Sequence, residues 1–294
     1  MMELIVNADD FGLTRGVNAG IVRGHREGIL TSATLMANGD AFEDAVELAR
    51  ANPSLDVGIH LCLTGGRALA SKDLIPSLVD DDGQLPRTLF VLLTRLSSGR
   101  IPTRQIEVEF RAQIQRVLDT GIRPTHLDTH KHIHTHPRVM EALGRAANEF
   151  KIRCVRKPFE DFRVSIGNRT ANGRDNTRQV VSAVAAGMTA PLFRLLAKSY
   201  GLLTPDHFFG LTATGRLSSD EIKGVLIALP PGKSELMCHP GVCDDELGRC
   251  HTRLKREREL ELDALLDPAV RRIADERGVR LIGYEELMRD HVRA

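Results

Sequence analysis

Residues 125–137 read THLDTHKHIHTHP, and His126, Asp128, His130, His132, His134 and His136 take alternate positions within them. In any extended part of this run those side chains turn to one face, because successive residues of a strand point to opposite sides. Five of the eleven histidines thus stand with one carboxylate at what reads as a strand end and the loop after it. Neutral imidazole is the commonest side-chain metal ligand. The run therefore suggests a divalent-metal centre completed from elsewhere in the chain. The alternative is a plain polar loop; the interleaved Leu127 and Ile133, and the helix start at His136-Pro137, are instead features of a folded segment.

Outward from this run, residues 103–120 carry Ile106, Phe110, Ile114, Val117 and Leu118 on one helical face and lead through Gly121 and Pro124 into it. Pro137 opens a further helix with Val139, Met140, Leu143 and Phe150 as its apolar positions. Strands are expected at 4–8, 31–37, 56–63, 152–157, 207–212, 234–238 and 280–283, and helices at 16–26, 41–51 and 218–229, with a short helix closing the chain. Such alternation predicts parallel strands joined by crossover helices, an architecture that collects functional side chains at the carboxyl ends of its strands. Residues 64–102 read as an elaborated loop at the mouth of that edge, and 159–205 as a second insertion. Within it, 159–177 has no clear period and reads as a lid. Residues 188–203 are more apolar, interrupted by Arg194 and Lys198.

Three further features fall at the predicted carboxyl edge. Asp9 and Asp10 follow the first strand in NADDFG, and adjacent carboxylates there repel unless a cation or a proton lies between them. One can bind metal while its neighbour takes a proton from water; a plain Asp turn or N-cap is the structural alternative. His60 lies inside the apolar run DVGIHLCL, where a satisfied core histidine is the ordinary case, and gains weight from its company. His239 ends the strand before Pro240-Gly241 and is a candidate proton donor to a leaving group. Cys238, His239, Cys243, Cys250 and His251 form a rival zinc constellation without the usual Cys-x2–4-Cys spacing. Residues 253–261 read as a solvated, charge-rich helix face.

A chain of 294 residues without a Gly/Ser/Pro linker reads as one domain, 1–294. Forty Lys plus Arg against 39 Asp plus Glu provide no global field for nucleic acid or an anionic membrane, so a small neutral partner is expected. No run of about twenty apolar residues predicts a membrane span, and the first residues lack a secretory pattern. Five scattered cysteines argue for reduced thiols and a cytoplasmic location.

Together NADDFG at 7–12, GIHLCLT at 58–64, THLDTHKHIHTHP at 125–137 and MCHPG at 237–241 resemble the YdjC family of carbohydrate deacetylases over nearly the whole chain. The resemblance implies an irregular (β/α) barrel of parallel strands with elaborated loops over its C-terminal face. It also implies one divalent metal ion, magnesium or zinc, and removal of acetyl groups from N-acetylglucosamine units. Carried over by motif, Asp10, His60 and His130 would hold the metal, Asp9 would be the general base and His239 the general acid. His132, His134 and Phe11 are candidates for substrate contact. DHFFGL at 206–211 and ALPPGKSELMCHPG at 228–241 look closer to the hopanoid-biosynthesis-associated branch, which implies a glycolipid substrate and transient membrane contact near 188–203. A homodimer is carried as an open expectation. Hydrolysis of a glycoside or phosphoester at the same metal, and a non-catalytic sugar-binding protein, are the competing functional readings.

Overall fold

The computed structural model describes residues 1–160 and 187–293. Most of the predicted lid at 159–177 lies outside the described residues. Among the described residues there are eight strands: β1 Met2–Phe11, β2 Ser32–Leu35, β3 Asp56–Leu61, β4 His126–Thr129, β5 Cys154–Val155, β6 His207–Phe209, β7 Gly232–Cys238 and β8 Val279–Leu281. The helices between and after them are α1 Arg15–Glu27, α2 Phe42–Ala51, α3 Leu89–Ser97, α4 Thr103–Asp119, α5 Pro137–Phe150, α6 Ala190–Ser199, α7 Ser219–Ile227, α8 Asp245–Arg249, α9 Glu257–Leu266, α10 Pro268–Glu276 and α11 Glu285–Arg293. None of the described helices is long and apolar enough to cross a membrane.

These strands pair in parallel, in the order β5-β4-β3-β2-β1-β7-β6 with β8 beside β1. β1 is central. Its Leu4, Ile5, Val6 and Ala8 are fully buried, which explains the unbroken apolar run of a strand covered on both faces. Along one edge β1 pairs with β7 from Met2 to Ala8; its other edge is divided, β8 taking Met2–Leu4 and β2 taking Asn7–Phe11. The sheet curls into a half-barrel. A bridge between Cys154 and Leu203 spans part of the gap between β5 and β6, and Arg156, just after β5, reaches carboxylates on β1, β4 and β7.

Local signals account for the helix ends. Thr14 caps α1 by accepting from the Val17 N–H, Pro137 occupies the first turn of α5, and Gly121 turns the chain after α4 at φ 82°. The stripe Gly16, Gly20 on α1 makes room for the loop after β7. A Cβ on Gly20 would stand 2.5 Å from the Gly241 Cα, and one on Gly16 2.5 Å from the Val242 carbonyl oxygen.

Several sequence expectations change. The His-rich run is extended only over β4; after Thr129 it turns into a 3-10 segment, His130–Thr135, with Lys131 and His132 left-handed at φ 59° and 52°. Its histidines therefore do not share one face. β1 runs on through the Asp pair to Phe11 rather than stopping before it. The 64–102 loop contains α3, whose Leu92 and Leu96, four residues apart, reach the core. The 253–261 stretch is not a solvated face: α9 buries Arg258 and Glu261 beside Leu262 and Leu265.

Replacing Gly20 by Ala should cost about 1–3 kcal/mol in urea denaturation, because backbone rather than a flexible side chain must yield. Gly24→Ala, whose Cβ would meet only ordinary contacts at 3.7 Å, should be neutral or stabilising by up to ~1 kcal/mol. Equal effects of the two changes would refute the close-approach account.

Candidate active site

At the carboxyl end of β1 the register slips between Ala8 and Phe11, and Asp10 adopts φ 68°. In a regular strand adjacent side chains point to opposite faces. The left-handed residue breaks that alternation, and Asp tolerates it better than most residues. Both aspartates consequently reach one site, each with its own arginine. Arg156 donates from Nη1 and Nη2 to the two oxygens of Asp9, at 2.8 and 2.6 Å. Arg258, from α9, donates to Asp10 Oδ2 at 2.5 Å.

Arg156 is fully buried and also meets Asp128 Oδ2 at 2.6 Å and Glu235 Oε1 at 2.8 Å. Despite burial, which opposes ionisation, Arg156 holds Asp9 well below the usual carboxylate range. Burial pushes Glu235 up to about 7, and the Tyr284 hydroxyl donates to its other oxygen at 2.5 Å. Burial thus favours the protonated form at Glu235, beside a guanidinium that also meets two aspartates.

Asp10 Oδ1 is buried and has no hydrogen-bond partner. His130 Nδ1 lies 3.3 Å from it and His60 Nε2 3.5 Å, while the two imidazole nitrogens are 3.3 Å apart. The other nitrogen of His60 is engaged by Asp128 Oδ1 at 2.7 Å, so the ring is fixed with Nε2 directed at the cluster. Burial opposes charge on His60, yet Asp128 and Asp9 carry it up to about 9: the pocket favours positive charge at this point. Two imidazole nitrogens and one orphaned carboxylate oxygen within 4.8 Å of one another fit a divalent cation. Asp9, His60 and Asp128 form an overlapping group, but Arg156 occupies both of its carboxylates.

His239 completes the constellation. Its Nε2 lies 3.9 Å from Asp9 Oδ2, and its backbone N–H donates to Glu261 Oε2 at 2.5 Å. Burial pushes the imidazole down to about 4, with Asp9 and Asp10 opposing.

The structure brings Asp9, Asp10, His60, His130 and His239 together. It does not do so for all three expected substrate contacts. Phe11 is fully buried in the main core, where β1 packs against β2. His134 is also fully buried: Nε2 donates to the Arg156 carbonyl at 3.1 Å and Nδ1 accepts from the Thr129 hydroxyl at 2.5 Å, leaving nothing for a ligand. His132 remains partly exposed, edge-on to Phe208 at 5.9 Å, with Nδ1 unpartnered. The rival cysteine constellation does not converge; among the described residues, no ligand cluster includes Cys238, Cys243, Cys250 or His251.

Sequence reasoning missed Arg156, Arg258, Glu235 and Glu261. A signal existed for two of them: Arg258 and Glu261 share the helical face of Leu254, Leu262 and Leu265, at spacings of three, four and seven.

A family model described as YdjC-like protein matches residues 3–276. A carbohydrate deacetylase of Geobacillus stearothermophilus is 34% identical over 283 residues, covering 96% of each chain. A chitooligosaccharide deacetylase of Serratia marcescens is 31% identical, over 97% of this chain and 98% of that one. Among solved structures, a protein of Enterococcus faecalis assigned, provisionally, to cellobiose-phosphate cleavage superposes with a TM-score of 0.77 at 25% identity, over 97% of this chain and 98% of its own. With its parallel half-barrel and a family match over nearly its whole length, the chain belongs to the YdjC-like family.

Proposed function

We propose that the protein is a metal-dependent N-deacetylase acting on an N-acetylglucosamine unit of an oligosaccharide or glycolipid. The observation that carries this reading is the convergence of Asp10 Oδ1, His60 Nε2 and His130 Nδ1, in a chain whose full-length relatives include carbohydrate deacetylases. These three residues would hold one divalent ion, zinc or magnesium, which supplies polarisation of the acetyl carbonyl and a more acidic water.

The remaining steps belong to the chain's own side chains. Asp9, kept ionised and aimed by Arg156, takes a proton from the water as it attacks the acetyl carbon. His239, beside Asp9, gives a proton through Nε2 to the departing nitrogen as the C–N bond breaks. Acetate leaves with the water's oxygen, and the amine stays on the sugar. His132, the partly exposed candidate, is the remaining histidine for contact with that sugar.

A glycolipid is the second reading, favoured by the apolar surface at Met188, Leu192 and Leu195, which are 78%, 42% and 63% exposed beside Arg194 and Lys198. Preference for an N-acetylglucosaminyl lipid over di-N-acetylchitobiose would select it, and the reverse preference would remove it.

Purified protein should release acetate from one of these two substrates, lose that activity on chelation and regain it with zinc or magnesium. Absence of release from both by metal-loaded protein would overturn the reading. His130→Ala should empty the metal site, as measured by elemental analysis; unchanged metal content would refute its role. Asp9→Asn should keep the metal but lower turnover by roughly a hundredfold or more. A nearly full rate would remove Asp9 from the chemistry.

The Arg156 cluster makes a separate prediction, on stability. Arg156→Met leaves buried carboxylates without their counter-ion and should cost about 3–5 kcal/mol. Glu235→Gln, which mimics the protonated form, should cost under about 1 kcal/mol at pH 7. The raised Glu235 carboxyl binds its proton more tightly in the fold than in the unfolded chain, so its contribution to stability falls as pH rises from 4.5 towards about 7. The glutamine variant should therefore gain on the wild type across that interval; a pH-independent difference would contradict the raised Glu235 carboxyl.

A further inference from the structure

His239 has a second face that the proposed chemistry does not use. Its Nδ1 is buried and makes no hydrogen bond, and 3.8 Å away stands Glu261 Oε2. Glu261 is 1% exposed and firmly placed. Oε1 accepts the Gly215 N–H at 2.6 Å, and Oε2 accepts the backbone N–H of His239 itself at 2.5 Å. The carboxylate therefore grips the chain at the residue whose ring it faces. It comes from α9, the helix that also brings Arg258 to Asp10 one turn earlier.

A buried carboxylate is costly unless its lone pairs are satisfied. Two backbone donors partly satisfy this one, and among the described residues no arginine or lysine is hydrogen-bonded to it. The group facing its remaining capacity is the imidazole. On the opposite side of that ring, Nε2 faces Asp9. An imidazolium in a buried site needs counter-charge, and a negative group beside Nδ1 supplies it on the side away from the nitrogen that must release its proton.

We infer that Glu261 is a positioning residue for His239, fixing the ring through its backbone and accepting Nδ1–H, so that Nε2 delivers the proton to the departing amine. The inference rests on the deacetylase reading for its kinetic consequence, but not for the geometry. In the step itself, the proton on Nε2 passes to the amine nitrogen, the imidazolium becomes neutral, and Nδ1–H stays with Glu261. Glu261 neither gains nor loses an atom and does not touch the substrate. Orientation of a catalytic histidine by a buried carboxylate is worth large factors in rate where it has been dissected.

Two measurements test this. The first needs no activity: nitrogen-15 NMR of histidine-labelled wild-type protein, with the His239 signals identified by their loss in His239→Gln. A proton on Nδ1 at neutral pH, lost in Glu261→Gln, is expected. A ring protonated on Nε2 alone in the wild type would overturn the inference, whether or not the variant folds.

The second is a double-mutant cycle on acetate release from the substrate the wild type accepts. Glu261→Gln should lower kcat by roughly a hundredfold, with KM within about twofold and metal content unchanged. In the His239→Gln background the same change should have little further effect, because the two residues act as a unit. Multiplying effects would show that Glu261 matters only structurally. Wild-type protein that releases no acetate defeats the deacetylase reading, while the NMR result still decides the pair.

Discussion

A guanidinium with no access to water holds the carboxyl edge of this sheet together. Arg156 meets Asp9 and Glu235 on the neighbouring strands β1 and β7, and Asp128 on β4, which the order β4-β3-β2-β1-β7 places three strands away from β1. A charge taken out of water is tolerated only with well-formed partners. The curl that lets one side chain reach all three is thus a requirement of the arginine as much as a property of the strands. The same contacts fix chemistry. Asp9 is ionised because of Arg156, and Asp128, anchored on its other oxygen, turns His60 towards the cluster.

Asp9 and Asp10 divide the work by partner. Adjacent carboxylates repel, and the chain resolves this by giving each a separate cation from a distant part of the sequence. Arg156 takes both oxygens of Asp9. Arg258 takes one of Asp10, and the orphaned oxygen is the one that faces the two imidazoles. The left-handed backbone at Asp10 is the local concession that brings both acids to one place.

Much of this was legible in the sequence, for identifiable reasons. Buried parallel strands are written as short apolar runs such as LIVNA and SELMC, and helices as apolar positions three and four apart, so the alternation and the parallel sheet could be read. Asp10, His60 and His130 are picked out as ligands by the resemblance of their motifs to the YdjC family; the pattern alone leaves an Asp turn and a core histidine open. What failed is what depends on tertiary placement. Even spacing in THLDTHKHIHTHP suggested one shared face, but the backbone leaves the extended region after Thr129, which no side-chain pattern announces. Phe11 and His134 are candidates for substrate contact in the sequence, and the fold spends the first on core packing and the second on hydrogen bonds. Arg258 and Glu261 sit in a charge run whose ordinary fate is solvent; they are buried because their counter-groups lie some 250 and 20 residues away in the chain.

The divided edge of β1 has a consequence for how the protein is made. β1 precedes its partners in the chain, yet β7, its longest partner, begins at Gly232 and β8 at Val279. Until those residues have been synthesised, β1 offers one bare side of a strongly apolar strand, the kind of unpaired edge that invites aggregation. Asp10 likewise waits for Arg258. Pairings so distant in sequence are slow to form. The half-barrel cannot close around its site until β7, Arg258 and β8 have all emerged, and the growing polypeptide needs protection over the whole of that interval.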